Sequence, residues 1–376
     1  MLGRFATVNL SAPSLDLQGR MSTPKTPSMS LSSTDEAART PCPILQRTDL
    51  RHLMGGAGRV GGNVQSMWPA LVSKRLDGDT PTYVRQRWGT PDADFIDVDW
   101  LAPEPPVCAP DAPLLILFHG LEGSSASHYA RAYAQTAARL GWHYAVPHFR
   151  GCSGEPNLTA RAYHSGDFEE IGWILDRFRT LHRGPRLAVG ISLGGNALLR
   201  WAEEAGDTAA RSVGALAAVS APIDLAAGGH AIGRGFNRLV YTRMFMRSLR
   251  PKTLQKLVLH PGLFNRERML AAGDLYEFDN LYTAPVHGFR DTDDYWQRGS
   301  AKPHLHRIRI PALVLNARND PFVPASSLPH PHEVGRHVTL WQPPCGGHAG
   351  FPTGTFPGRL GTVPAQVMGW LQAQGG

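Results

Sequence analysis

The sequence has few cysteines and no long hydrophobic run. Its 376 residues include four cysteines, and neither a CxxC spacing nor a disulfide pattern relates Cys42, Cys108, Cys152 and Cys345. No apolar run approaches the roughly 18 residues that span a bilayer, and the first residues lack the apolar stretch of a signal peptide. These absences argue against a disulfide-stapled or membrane-spanning protein and predict a cytoplasmic one.

Convincing cofactor and metal motifs are also lacking. Residues 56–61 match the pattern GxGxxG, but no strand precedes them and no βαβ unit surrounds them, so they predict a flexible loop. His330, His332 and Glu333 resemble a cluster of metal ligands, yet the two adjacent prolines and the tight spacing indicate a surface loop. The sequence therefore implies no cofactor and no metal.

One long stretch of this basic chain contains no acidic residue. Lys and Arg number 38 against 31 Asp and Glu, giving a net charge of +7 at pH 7. Residues 225–266 lack acids and contain eight basic residues, namely Arg234, Arg238, Arg243, Arg247, Arg250, Lys252, Lys256 and Arg266. Arg243, Arg247 and Arg250 fall on one helix face. This face is either simply solvated or contacts an anionic membrane surface; no recognised module supports nucleic-acid binding.

The most informative residues present are 190–194, which have the form GxSxG. An apolar strand candidate precedes them and a helical stretch follows, which is the context of a nucleophile elbow. Glycines are needed there because the helix packs close to the strand. The turn would lift the Ser192 hydroxyl towards substrate and aim the backbone N–H of Leu193 at the same place.

A serine nucleophile needs a base, and the base needs an orienting acid. In this architecture the chain order is Ser, then Asp or Glu, then His. Asp320 follows a strand candidate at residues 311–316, and His348 lies in a glycine-flanked loop after another at residues 338–341. Order and position at strand ends predict a triad of Ser192, Asp320 and His348.

Other residues could take these roles. Asp224 also follows an apolar strand candidate and is the main alternative acid, its other reading being a turn or capping role. Three histidines are alternative bases, although all precede Ser192: His119, His128 and His164. The pair His119-Gly120 more typically shapes an oxyanion loop, in which the N–H of Leu121 would be the second donor beside that of Leu193.

Strand and helix patterns alternate along most of the chain. We expect two early antiparallel strands, then a mainly parallel sheet covered by helices on both sides, which is an α/β fold. The alternation stops between Asp224 and about Lys302, so residues 225–302 predict a helical cap insertion. Residues 1–44 are rich in Ser, Thr and Pro and predict a disordered segment before a domain at 45–376.

Motifs beyond the elbow resemble the YheT-type branch of the α/β-hydrolases. They occur at residues 62–65, 94–100, 119–124, 148–154, 190–196, 276–279, 283–289, 295–296, 316–322 and 347–348, and the resemblance covers roughly residues 45–375. It implies an α/β-hydrolase fold with Ser192, Asp320 and His348 as the triad. One departure is Gln65-Ser66, where the branch usually has Gln-Thr.

The same resemblance implies esterase or lipase-like activity on small-molecule ester or lipid substrates, with short-chain esters and monoacylglycerols as plausible examples. We therefore expect a cytoplasmic serine esterase that forms an acyl-enzyme. Two alternatives remain: an acyltransferase with the same triad, and a non-catalytic binding protein on a hydrolase scaffold. The sequence does not indicate the oligomeric state.

Overall fold

The structure is a computed structural model that describes residues 59–72, 80–102, 108–353 and 358–375. The predicted disordered segment 1–44 lies outside these residues, as does the first half of the GxGxxG match. Within the described part of the chain, no helix is both long and apolar enough to cross a membrane.

An eight-stranded sheet organises the chain, in the order β1-β2-β4-β3-β5-β6-β7-β8. Strands β1 and β2 are antiparallel to each other, β2 is antiparallel to β4, and the other neighbouring pairs are parallel. Every residue of β3, β6 and β7 is buried, as expected for strands covered on both faces. The strands are Tyr83–Gly89, Phe95–Leu101, Leu114–Phe118, His143–Pro147, Arg186–Ile191, Ala215–Val219, Ala312–Leu315 and Val338–Trp341.

Helices cover both faces of this sheet. Helix α1 (Arg59–Val72) precedes the sheet, and α2 (His128–Leu140), α3 (Phe168–Leu181) and α4 (Leu193–Ala205) follow β3, β4 and β5. Apolar residues of α3 and α4 belong to the core on one face, and those of α2 and the last helix, Thr362–Gly375, to the core on the other. This arrangement confirms the predicted α/β fold.

The segment between β6 and β7 is largely helical. Its longer helices are α5 (Leu225–Ile232), α6 (Arg243–Leu259), α7 (Arg266–Ala271), α8 (Leu275–Phe278) and α9 (Thr292–Gly299), and the last helix of the chain is α10 (Thr362–Gly375). Short or irregular turns lie between them at Gly235–Asn237, Arg238–Thr242, Asp279–Thr283, Ala284–Val286 and Lys302–Arg307. Met246 and Leu249 of α6 pack with Met269, Phe278 and Tyr282 in an apolar cluster of this segment.

The predicted basic face of α6 needs a correction. Arg243 and Arg247 are exposed, but Arg250 is half-buried and its guanidinium donates a hydrogen bond to the carbonyl of Ala272. Lys256 is buried and donates to the carbonyls of Asn157 and Thr159. The periodicity placed Arg250 on the same face as the other two, whereas its contact with the C-terminal end of α7 draws it inward.

The interpretation of residues 56–61 as a loop is wrong for the part that is described. Residues 59–61 begin helix α1, and Gly62 follows them. A Cβ built at Gly62 would lie 1.8 Å from the Asn319 carbonyl oxygen, so this glycine allows close packing. The cluster that resembled metal ligands contains a short 3-10 turn at Pro331–Glu333, preceded by the exposed His330. This agrees with the predicted surface loop.

Candidate functional site

Ser192 lies in a strained turn between β5 and α4. Its φ of 53° and ψ of −119° are unusual for a residue with a side chain. A Cβ at Gly190 would lie 2.4 Å from the Gly194 oxygen, and one at Gly194 would lie 2.5 Å from the His119 oxygen. The flanking glycines are therefore required by the close approach of strand, helix and loop, as the sequence predicted.

Asp320 and His348 meet Ser192 at the ends of their strands. His348 Nε2 lies 2.8 Å from Ser192 Oγ, and His348 Nδ1 lies 2.9 Å from Asp320 Oδ2. The Asp320 side chain is fully buried, and its Oδ1 also accepts hydrogen bonds from the N–H groups of Phe322 and Val323. With Nδ1–H donating to Asp320, Nε2 is free to accept the proton of the serine hydroxyl.

The residues considered as an alternative acid or base make other contacts. Asp224 caps helix α5 by accepting a hydrogen bond from the Ala227 N–H at 3.0 Å. His119 is buried, with Nδ1 2.8 Å from the Gly120 oxygen and Nε2 accepting from the Phe149 N–H at 3.0 Å. Burial lowers the pKa of His119 to about 3, so this ring is neutral near pH 7.

Of the two other histidines, His164 is buried and His128 is half-buried. Desolvation lowers the pKa of His128 to about 4 and that of His164 to about 3. The His164 ring packs against that of His287, with 4.3 Å between the ring centroids. Neither ring is the one that contacts Ser192 Oγ, since that partner is His348.

The loop after β3 passes directly against Ser192. A Cβ at Gly120 would lie 3.2 Å from Ser192 Cβ, and the Gly120 N–H donates to the Tyr129 hydroxyl at 2.9 Å. Among the hydrogen bonds of the described residues, none is donated by the N–H of Leu121 or of Leu193. Both groups are thus available as donors beside the serine, as an oxyanion hole requires.

Helix α1 supports the His348 loop, and sequence reasoning missed this role. Ser66 Oγ accepts a hydrogen bond from the His348 N–H at 2.8 Å and donates to the Gly62 carbonyl at 2.7 Å. Gln65 Oε1 accepts from the Gly346 N–H at 2.9 Å and from the Asn319 side chain at 3.0 Å. The family-like motifs at residues 62–65, 316–322 and 347–348, and the departure at Gln65-Ser66, marked these segments in the sequence but did not indicate that they meet.

A cavity of about 500 Å³ opens beside Ser192 and Leu193. The helical segment between β6 and β7 contributes many of its apolar lining residues, which include Phe245, Leu249, Phe278 and Tyr282. Asp279 is a polar group in this wall, and burial raises its pKa to about 6. Across the described ranges, no cluster of three His, Cys, Asp or Glu side chains could hold a metal ion.

Comparisons with known proteins agree with the fold described above. Residues 113–355 match the model of a family described as having the alpha/beta hydrolase fold. YheT, a proposed esterase of Escherichia coli (strain K12), is 38% identical over 313 residues, which cover 82% of this chain and 89% of YheT. Phospholipase ABHD3 of Homo sapiens is 28% identical over 71% of this chain and 66% of its own length. The embryogenesis-associated protein EMB8 of Picea glauca is 28% identical over 76% of this chain and 63% of its own length.

Proposed function

Because the chain belongs to the α/β-hydrolase fold family, together with YheT-like relatives, we propose that it is a serine hydrolase that cleaves carboxylic esters. The observation that carries this proposal is the continuous hydrogen-bonded series from Asp320 through His348 to Ser192, with distances of 2.9 and 2.8 Å. Esterase and phospholipase names among the relatives support the reaction class.

In the proposed mechanism, His348 Nε2 takes the hydroxyl proton while Ser192 Oγ attacks the ester carbonyl. Asp320 holds the imidazole tautomer and stabilises the imidazolium that forms. The N–H groups of Leu193 and Leu121 donate to the oxyanion of the tetrahedral intermediate, and each such donor is worth about 10²–10³ in rate. His348 then returns the proton to the leaving alcohol, and water hydrolyses the acyl-enzyme by the same steps.

The shape and lining of the cavity support lipid-like substrates of modest size. A volume of about 500 Å³ accommodates a short or medium acyl chain with a small alcohol, so short-chain esters and monoacylglycerols are our proposed substrates. We propose that residues 225–302 form the cap over Ser192. The cytoplasmic location expected from the scattered cysteines remains a prediction.

A peripheral contact with anionic membranes is a further part of this proposal. Arg243 and Arg247 are exposed on α6, and the neighbouring Phe236, Leu239 and Met244 are at least half exposed, at 51, 57 and 53%. An outer face that combines cationic and apolar side chains suits the headgroup region of a bilayer. A lipid-hydrolysing enzyme docked there would lie close to its substrate.

The test of the proposed function is Ser192→Ala. We expect ester hydrolysis by the purified variant to fall by about 10⁴–10⁶ in kcat, because the nucleophile is removed while the glycines still set the turn. A fluorophosphonate probe should label the parent protein and not the variant, and thermal unfolding should be similar for both. Comparable turnover of a p-nitrophenyl ester by parent and variant would remove Ser192 from the mechanism.

A further inference from the structure

Glu122 occupies a backbone conformation that favours glycine. Its φ is +57°, and it follows Gly120 and Leu121 in the loop that passes Ser192. Glycine adopts this conformation without strain, whereas a glutamate does so only at a cost. Contacts of the Glu122 side chain must therefore offset the cost of this backbone conformation.

The Glu122 carboxylate joins this loop to helix α6. Oε2 lies 2.7 Å from Lys252 Nζ and also accepts a hydrogen bond from the Ser248 hydroxyl, and both residues belong to α6. Oε1 accepts from the Tyr163 hydroxyl at 2.9 Å. The side chain is only 8% exposed, so these protein donors, with the Cys152 thiol 3.9 Å from Oε1, take the place of solvent around the carboxylate.

The same loop contacts α6 through a second side chain. Leu121 packs on the apolar cluster that includes Met246 and Leu249 of α6. The Glu122 N–H is occupied, since it donates to the Tyr163 hydroxyl at 3.1 Å. Tyr163 therefore binds both the backbone and the carboxylate of Glu122, which fixes the peptide group between Leu121 and Glu122, next to the one that carries the Leu121 N–H.

We propose that Glu122 is a positioning residue, whose contacts with α6 and Tyr163 hold the Leu121 N–H in the geometry that binds the oxyanion. This inference rests on the proposed ester hydrolysis at Ser192. It adds that the oxyanion loop and helix α6 are coupled. The oxyanion loop is set by the same helix that lines the substrate cavity through Phe245 and Leu249. Displacement of α6 would then disable the transition-state donor as well as open the cavity.

The experiment compares Glu122→Gln, Glu122→Gly and Lys252→Met with the parent enzyme on a soluble p-nitrophenyl ester. Glu122→Gly is informative because glycine accepts the backbone conformation without strain and removes the whole side chain, whereas Glu122→Gln changes only the carboxylate. We expect kcat to fall by about 10-fold to 100-fold in the Glu122 variants, since misplacing a group by about 1 Å costs on the order of 10²-fold. KM should stay within about 2-fold, because the oxyanion forms only in the transition state.

The affinity for a trifluoromethyl ketone inhibitor distinguishes a positioning role from a merely structural one. The inhibitor forms an oxyanion on attack by Ser192, so its affinity should fall by about the same factor as kcat/KM.

The double variant Glu122→Gln with Lys252→Met should lower kcat no more than Glu122→Gln alone, because both changes break the same contact. Lys252→Arg should retain most of the activity. Arg179→Met, which breaks the exposed ion pair with Asp176, is the matched control and should leave kcat unchanged.

Parental kcat and inhibitor affinity in a folded Glu122→Gly variant would overturn the inference. So would a rise in KM alone, which would make Glu122 a substrate contact, or additive costs in the double variant. Failure of the proposed function has a different signature. Activity that survives Ser192→Ala, or a parent protein that neither hydrolyses esters nor reacts with the fluorophosphonate, would remove the reaction and this inference with it.

Discussion

Asp320 and Asp224 are both acids at the ends of neighbouring strands, but their surroundings differ. Asp320 is fully buried and directs one oxygen to two backbone N–H groups and the other to the His348 ring. Asp224 uses its carboxylate to cap α5. The Asp320 carboxylate is therefore held in a fixed orientation towards His348, whereas that of Asp224 is used at a helix end.

Asp320→Asn should therefore lower kcat by about 10⁴, because an amide at this position favours the wrong tautomer of His348. Asp224→Asn should change kcat far less, since asparagine also caps helices well. The measurement is turnover of a soluble ester by both purified variants, with circular dichroism to verify folding. The reverse order of activities would assign the acid to Asp224.

The sequence was informative about residues whose role depends on local context and chain order. Ser192, Asp320 and His348 each follow a strand, so their positions could be predicted from a pattern and the structure brings them together. Glu122 and Arg250 could not be interpreted in that way. Their contacts are with Lys252 and the Ala272 carbonyl, and no periodicity within a helix or loop specifies a partner that packing selects.

Helix α6 presents two different faces. Phe245, Leu249 and Lys252 line the cavity, while Arg243 and Arg247 face outward. In the proposed function, one face of this helix therefore contacts substrate and the other contacts the membrane surface. Changes on the outer face should alter where the protein docks and leave the chemistry intact.

Replacing Arg243 and Arg247 by Gln should weaken binding to phosphatidylserine vesicles by about 10-fold to 30-fold at low salt, since each arginine near an anionic surface contributes about 1 kcal/mol. Hydrolysis of a soluble short-chain ester should be unchanged. Arg179→Gln with Arg211→Gln is the charge-matched control. Absence of vesicle binding by the parent, or equal binding by the variant, would leave a solvated helix face as the interpretation.

Across the whole molecule, the site depends on residues from distant parts of the chain. The hydrogen bond from the His348 N–H to Ser66 joins positions 282 residues apart. Sequence patterns predicted the sheet, because its strands are short apolar runs with clear turns between them. They did not predict α1 or its contact with the His348 loop, because such a contact arises only when the complete fold brings both segments together.

Ser66→Ala should lower kcat by about 10-fold, because it leaves the His348 N–H without its acceptor and loosens the loop that carries the imidazole. Ser66→Thr keeps the hydroxyl and should retain most of the activity. Steady-state kinetics and the thermal unfolding midpoint of both variants are the measurements. Equal kcat in Ser66→Ala and the parent would show that the loop holds its position without α1.

The separation of the site residues along the chain has a consequence for newly made protein. Ser192 leaves the ribosome 156 residues ahead of His348, an interval on the order of 10 s at ordinary rates of translation. During that time its hydroxyl has no base and is as unreactive as that of any other serine. In the proposed mechanism, Ser192 of the nascent chain therefore cannot yet act as a nucleophile, and hydrolysis becomes possible only when β7 and β8 have joined the sheet.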